Sequence, residues 1–266
     1  MAPGDRAPGA STFTVSGDVY DRFMGRYSTK LAVPFADAAG VEPGQTVLDV
    51  GSGPGALTTE LVRRLGAEHV AAVDPAPQFV EAVRERLPGV DAHAGRAEQL
   101  PFPDGRFDAA LAQLVLHFVS DADETAREMR RVVRPGGVVA ACVWDFTSGM
   151  RMLRLFWDAA LALDPDAPDE ERTRPFGRDG EIAELFERAG LEDVERSSLR
   201  VETSYDDFDD FWTPFLSTTG PAGAYIDALD EQHRERLREQ LRMALGSPEG
   251  PFTLEASAWC ATGRAP

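Results

Sequence analysis

The sequence predicts an α/β protein built on a doubly wound parallel sheet, and three observations carry that prediction. Short apolar runs alternate with amphipathic, helix-length segments between residues 46 and 145. The first run, Val47-Leu48-Asp49-Val50, breaks into Gly51-Ser52-Gly53-Pro54-Gly55 just ahead of a helical segment. The second run ends on an acid, Asp74, about 20 residues after the glycines, where open α/β sheets place a ribose-binding carboxylate. Glycines let the chain turn at positive φ and leave room for a ligand that a Cβ would block. The helix behind them presents free backbone N–H groups.

Taken in order, residues 1–14 are rich in Pro, Gly and Ala and are expected to be disordered. Residues 18–28 carry Val19, Tyr20, Phe23, Met24 and Tyr27 at helical spacing, and residues 31–39 form a second helix that Gly40 stops. Strand one covers 46–50, and the helix at 56–65 puts Leu57, Leu61, Val62 and Leu65 on one face. Strands two, three and four follow at 69–73, 90–94 and 107–113, with a helix at 77–87 whose Phe79, Val80, Val83 and Leu87 face inward. After a helix at 121–133, Arg134-Pro135-Gly136-Gly137 is a sharp turn into strand five at 138–145. A helix at 152–163, an acidic loop at 164–179, a helix at 181–189 and a sixth strand within 191–203 come next. Residues 205–246 read as helical, and 252–262 alternate as a last strand. The core therefore spans 15–146, completed by 179–204 and 250–266. Two insertions, 147–178 and 205–249, are expected to join as a helical cap over the substrate, with Phe156, Trp157, Phe211, Trp212, Phe215 and Tyr225 in its core or lining its pocket.

Composition narrows the function. With 43% apolar residues among 266, the chain can bury a sizeable core. The net charge of −18 argues against a nucleic-acid partner, because phosphate binding relies on Lys and Arg to displace counterions. No window approaches the roughly 20 apolar residues of a membrane span, and residues 1–10 lack the apolar stretch of a signal peptide. A cytoplasmic protein acting on a small molecule, with no membrane partner, is the expectation. Cys142 and Cys260 both sit in strand-like runs and read as buried free thiols. Two cysteines and four scattered histidines give no metal-ligand spacing.

Gly51, Gly53 and Gly55 are spaced G-x-G-x-G, and Ala56 fills the place of the third glycine in a dinucleotide fingerprint. The small-residue variant is permitted there, so spacing alone leaves NAD open.

The later blocks add to this. Val73-Asp74-Pro75, Gly95-Arg96-Ala97-Glu98-Gln99-Leu100-Pro101-Phe102, Phe107-Asp108, Leu114-Val115-Leu116-His117-Phe118 and Arg134-Pro135-Gly136-Gly137 follow the glycine block in order. Together they resemble the class I S-adenosylmethionine-dependent methyltransferases, in particular the small-molecule branch that includes the quinone-biosynthesis methyltransferases. The resemblance covers about 40–145 closely and 180–203 more loosely. It implies a Rossmann-like, seven-stranded, mostly parallel sheet whose last strand, at 252–262, runs antiparallel between the fifth and sixth. Cys142 and Cys260 then become neighbours. It implies S-adenosylmethionine as cofactor and S-adenosylhomocysteine as product. It assigns the methionine part to the glycine loop with Asp49, Gly51 and Gly53, and the ribose to Asp74, beside Pro75. The adenine contacts fall in Arg96, Ala97 and Glu98. Many family members have an aspartate where this chain has Arg96, and arginine has no acceptor to replace it. Arg96 either stacks on the adenine or points into solvent, while the Ala97 backbone still serves. Gln113, after strand four, is placed to meet the methionine amino group.

Related proteins often carry a helix near residues 20–27 that closes over the cofactor. On that view Arg26 pairs with the methionine carboxylate and Tyr20 faces the sulfonium; an amphipathic packing helix fits the pattern equally. His117, after strand four, is the candidate general base, with a pKa suited to the task, or else a pocket wall. Asp145, ending strand five, is a weaker candidate. His69, His93 and His233 read as structural. The function implied is methyl transfer to a small-molecule acceptor through an O, N or C nucleophile, in secondary metabolism by the aromatic character of the cap. An NAD(P)-dependent oxidoreductase and a non-catalytic cofactor-binding protein are the alternatives. Neither the acceptor nor the oligomeric state is written in the sequence.

Overall fold

The computed structural model describes residues 24–172, 174–217 and 220–266. Tyr20 and the segment expected to be disordered lie outside the described residues. Seven strands form one sheet: β1 (Val47–Val50), β2 (Val70–Asp74), β3 (Asp91–Ala94), β4 (Phe107–Gln113), β5 (Val133–Trp144), β6 (Glu192–Tyr205) and β7 (Phe252–Arg264). Their order is β3-β2-β1-β4-β5-β7-β6. The pairings from β3 through β5 are parallel, and β7 runs antiparallel to both β5 and β6.

The central strands are apolar without alternation because both faces are covered. Every residue of β1 and β2 is buried, the pattern of a parallel sheet between helical layers. Toward its end β6 alternates instead: Leu199, Val201, Thr203 and Tyr205 are buried and the residues between them exposed. That is an edge strand with one wet face.

Right-handed crossovers fix the helical layers. The crossover from β1 to β2, through Ala56–Leu65, runs toward one edge of the sheet; that from β4 to β5, through Ala122–Val132, runs toward the other. Their helices therefore lie on opposite faces. The strand order reverses between β1 and β4, and the crevice for a ligand opens outside the carboxyl ends of those two strands. The helix α1 (Arg26–Ala38) packs on Ala56–Leu65 and on β6. Its Tyr27, Leu31 and Phe35 are fully buried.

Several boundaries differ from the sequence prediction. Residues 26–28 belong to the same helix as 31–38, because the turn joining them is held by packing on Ala56–Leu65 and on β6. The Arg134-Pro135-Gly136-Gly137 turn lies inside β5. It loops out between the pairings Phe107↔Val133 and Ala109↔Val138, and the Gly136 N–H donates to the Ala265 carbonyl at 2.7 Å. Residues 205–246 are broken into the helices Phe208–Trp212, Gly220–Ala228 and Glu231–Ala244, plus a 3-10 turn at Thr213–Ser217. Asp207 and Asp230 cap two of these, accepting from the N–H groups of Asp210 and His233. Helices Gly220–Ala228 and Glu231–Ala244 pack on Arg151–Leu163. The rings of Phe156 and Phe215 stack at 4.8 Å.

Cys142 and Cys260 face each other directly across β5 and β7, both buried and both free thiols.

The glycine bulge separates two kinds of glycine. Gly136 needs φ of +75° but has open space where a Cβ would sit, whereas a Cβ on Gly137 would come within 2.5 Å of Val133 Cγ1 and 2.6 Å of the Asp108 carbonyl. Gly137→Ala is expected to destabilise the protein by about 2–3 kcal/mol through overpacking, and Gly136→Ala by about 1–2 kcal/mol through backbone strain. Denaturant unfolding measures both; equal midpoints for the two variants would contradict this assignment.

Candidate cofactor and active site

A cavity of about 370 Å³ opens at the crevice between β1 and β4. The turn after β1 builds its floor. Gly51, Gly53 and Gly55 adopt φ of +72°, +52° and +99°, a run of left-handed residues that side-chain-bearing residues rarely sustain. At Gly51 the constraint is steric as well, since a Cβ would sit 2.6 Å from Val115 Cγ2. At Gly53, by contrast, nothing lies within 4 Å of a Cβ, so the backbone there faces open cavity.

The loop is tethered to the end of β2. The N–H groups of Gly51 and Ser52 both donate to the Val73 carbonyl, at 2.7 and 3.0 Å. Asp74 then holds two backbone segments at once: Oδ2 accepts from Gly53 N at 2.8 Å and Oδ1 from Ala76 N at 2.8 Å. Burial pushes its carboxyl above the usual range, while those two bonds pull it back down.

Asp49 lies deeper. Its Oδ2 accepts from Thr58 Oγ1 at 2.6 Å. Burial first, and the nearby charge of Asp74 to a smaller extent, push it up to about 7. Among the described residues, no cation pairs with Asp49 or Asp74. Gln113 ends β4; its Nε2 donates to the Ser28 carbonyl at 2.9 Å, and its Oε1 is buried with no hydrogen-bond partner. Ser52 Oγ, also in the cavity wall, is buried without a partner too. These groups fit a ligand that brings its own donors and positive charge.

At the mouth, Glu98 accepts from the Ser120 N–H and hydroxyl at 2.8 and 2.7 Å. Although burial opposes it, that bonding and the Arg96 charge bring its pKa down to about 2. Arg96 donates to Ser120 Oγ at 2.7 Å and to Glu98 at 3.2 Å. This trio staples the segment after β3 to the segment after β4.

Asp49, Gly51, Gly53, Asp74, Pro75, Arg96, Ala97, Glu98 and Gln113 all line the one cavity. Arg26 does not; its guanidinium pairs with Asp210, Nη2 to Oδ1 at 2.9 Å. His117 is also absent from the lining and is buried against Phe118 and Phe146, with ring centroids 4.0 and 5.5 Å away. The expectation of an imidazole poised near its ordinary pKa is corrected. Burial, helped by the charge of Arg174, pushes it down to about 3. Asp145 is consumed locally, accepting from the N–H and hydroxyl groups of Thr147 and Ser148. The six cap aromatics do not line the cavity either.

Sequence reasoning missed Ser28, Phe79, Leu114 and Val119 in the wall. Leu114 has φ of +62°, a strained turn at the end of β4 that swings Val115 over Gly51. No sequence signal marks it, because leucine is not a residue that favours that region.

Comparison with known proteins agrees with this geometry. Residues 48–141 match the family model described as a methyltransferase domain. An uncharacterized 37.1 kDa protein in a transposon of Streptomyces fradiae is 34% identical over 173 residues, 64% of this chain and 46% of that protein. The ubiquinone/menaquinone biosynthesis C-methyltransferase of Vibrio cholerae is 38% identical over 108 residues, 38% of this chain and 42% of that enzyme. The chain thus spans less than half the length of these curated relatives. A Haemonchus contortus phosphoethanolamine N-methyltransferase, solved with phosphomonomethylethanolamine and S-adenosylhomocysteine, superposes with a TM-score of 0.54 at 15% identity. That match covers 95% of this chain and 61% of the other, and it speaks to the fold alone.

The unpaired buried acid has a pH signature. Asp49 titrates near 7 when folded and near 3.9 when unfolded. A raised carboxyl pKa favours the folded state at low pH, and that contribution is lost as pH rises through the interval from about 4 to 7. The ligand-free protein is therefore expected to lose up to a few kcal/mol of stability across that interval. Asp49→Asn should flatten the loss and make the ligand-free protein more stable than wild type at pH 8. Denaturation at a series of pH values checks it, and parallel curves for the two proteins would refute it.

Strand order, glycine floor and the carboxylate at the end of β2 agree with the match of residues 48–141 to the methyltransferase domain family.

Proposed function

We propose that this chain transfers a methyl group from S-adenosylmethionine to a small-molecule acceptor. The observation that carries the proposal is the charge character of the cavity. Its buried polar groups are acceptors and acids, Asp49, Asp74 and Gln113 Oε1, without a matching cation among the described residues. A ligand carrying an ammonium and a sulfonium suits that wall. A dinucleotide would bring its negatively charged pyrophosphate to the glycine loop, beside the buried Asp49.

When bound, S-adenosylmethionine supplies a methyl on a positively charged sulfur, which a nucleophile displaces. The protein's part is binding, alignment and exclusion of water. Asp74 takes the ribose hydroxyls with oxygens already held by Gly53 and Ala76. Gln113 Oε1, with the field of Asp49, takes the ammonium. Ala97 meets the adenine through its backbone, and Arg96, tied to Ser120 and Glu98, closes that edge. Leu57, Phe79, Val115, Phe118 and Val119 make the rest of the wall apolar. Positive charge disperses as the methyl moves to a neutral or anionic nucleophile, so a dry wall favours the transition state.

The acceptor is proposed to enter under the helices of 147–178 and 205–249, and the apolar wall made by Val115, Phe118 and Val119 suits a hydrophobic or planar molecule of secondary metabolism. Among the described residues, no helix is long and apolar enough to cross a membrane; a cytoplasmic site of action is part of the proposal. His117 is assigned a packing role behind the wall residue Phe118. An imidazole whose pKa sits about 3 is a poor proton acceptor at neutral pH.

Calorimetry is expected to show binding of S-adenosylmethionine and S-adenosylhomocysteine and none of NAD, with about tenfold or greater loss of cofactor affinity in Asp74→Ala. Labelled methyl should pass from the cofactor to a component of a cell extract. A protein that binds NAD but not S-adenosylhomocysteine would sink the proposal, and binding without any transfer would mark a non-catalytic protein. His117→Ala should lower turnover at saturating cofactor by less than about tenfold; a fall of about 100-fold would restore it as the general base.

A further inference from the structure

Three consecutive residues at the start of α1 connect the cavity to the segment after β6. Arg26 faces away from the cavity and grips Asp210 with two bonds, Nη2 to Oδ1 at 2.9 Å and Nη1 to Oδ2 at 3.2 Å. Its guanidinium also lies over the Tyr205 ring, 4.7 Å from the centroid. Asp210 is steadied in turn by the Asp206 N–H at 3.2 Å. The Arg26 carbonyl accepts from Thr203 Oγ1 at 3.1 Å, and the Tyr27 and Tyr205 hydroxyls share a bond of 2.9 Å. One residue on, the Ser28 carbonyl receives Gln113 Nε2 at 2.9 Å.

That last bond decides which way the Gln113 carboxamide faces. A carbonyl oxygen only accepts, so the amide must present its NH₂ to Ser28 and its oxygen elsewhere. The oxygen is the buried atom without a partner, in the wall of the cavity. Ser28 stands one residue from Tyr27 and two from Arg26, within a single helical turn. Moving Arg26 therefore moves the Ser28 carbonyl with it.

We propose that the Arg26–Asp210 pair is a latch that positions Gln113 for the amino-acid end of the cofactor. Arg26 and Asp210 are positioning residues, acting through the Ser28 carbonyl without touching the ligand. The proposal rests on the cofactor assignment made above. It also gives Arg26 a role different from a direct clamp on the methionine carboxylate. The side chains of the pair are 24% and 31% exposed, and such pairs contribute little to global stability. Their loss leaves the fold intact while removing one of three ties between the start of α1 and the segment at 203–210.

The test compares two ligands. S-adenosylhomocysteine carries the amino-acid tail; 5′-methylthioadenosine keeps the adenosine and sulfur but lacks that tail. In Arg26→Ala and Asp210→Ala, affinity for S-adenosylhomocysteine should fall about tenfold, while affinity for 5′-methylthioadenosine stays within about twofold of wild type. The exchange of charges, Arg26→Asp with Asp210→Arg, should recover most of the loss. Thermal melting of each variant separates this pattern from general unfolding. Equal loss for both ligands, no loss for either, or no recovery on charge exchange overturns the latch. A wild-type protein that binds neither ligand overturns the cofactor assignment, and the latch falls with it.

Discussion

The site depends on one carboxylate that accepts from two directions. Asp74 ends β2 and binds the backbone of Gly53 on one side and of Ala76 on the other. The glycine loop needs that anchor, because three residues at positive φ form no repeating hydrogen-bond ladder of their own. With the anchor in place, the start of helix Ala56–Leu65 and the start of helix Pro77–Arg86 are fixed relative to each other. Asp49, one strand away, is then enclosed. The energetic cost of that enclosure appears as a carboxyl pushed up to about 7. A cationic ligand relieves that cost, so the raised carboxyl and the proposed preference for a positively charged ligand have the same origin.

Much of this was legible in the sequence, for physical reasons. The central strands lie between two helical layers, so their apolar runs are unbroken and easy to bound; β4 falls on residues 107–113 as expected. Glycines at positive φ and acids at strand ends are local features, and local features survive in a linear reading. Nine of the expected cofactor residues therefore share one wall. The bulge at Gly136 was less legible, because a turn and a bulge use the same residues and differ only in what the neighbouring strand does. Pairings across the chain left no mark. Arg26 and Asp210 are 184 positions apart, and nothing near either residue announces the other. His117 was misjudged in its titration, since the depth at which a loop buries an imidazole follows from Phe118 and Phe146 closing around it.

The helical segments at 147–178 and 205–249 follow a different logic from the core. Their aromatic residues mostly satisfy one another: Phe156, Phe215, Trp157 and Tyr225 form a contiguous cluster. Arg154 is held by Asp158, Asp169 and Glu171 within the same region. A buried arginine with three acids specifies an arrangement more than it strengthens it. Such a region can change its surface residues without disturbing the cavity at the ends of β1 and β4.

The cysteine pair across β5 and β7 has a consequence of another kind. Burial raises Cys142 far above the usual thiol range and Cys260 to about 11. Neither forms a thiolate while the sheet is closed, and only a thiolate attacks an alkylating reagent at a useful rate. Their reactivity is thus gated by local opening around β5 and β7, one strand from the cavity wall, since Cys142 pairs in register with Gln113. The protein carries its own clock for that motion: the rate at which its thiols become available counts local openings of the sheet.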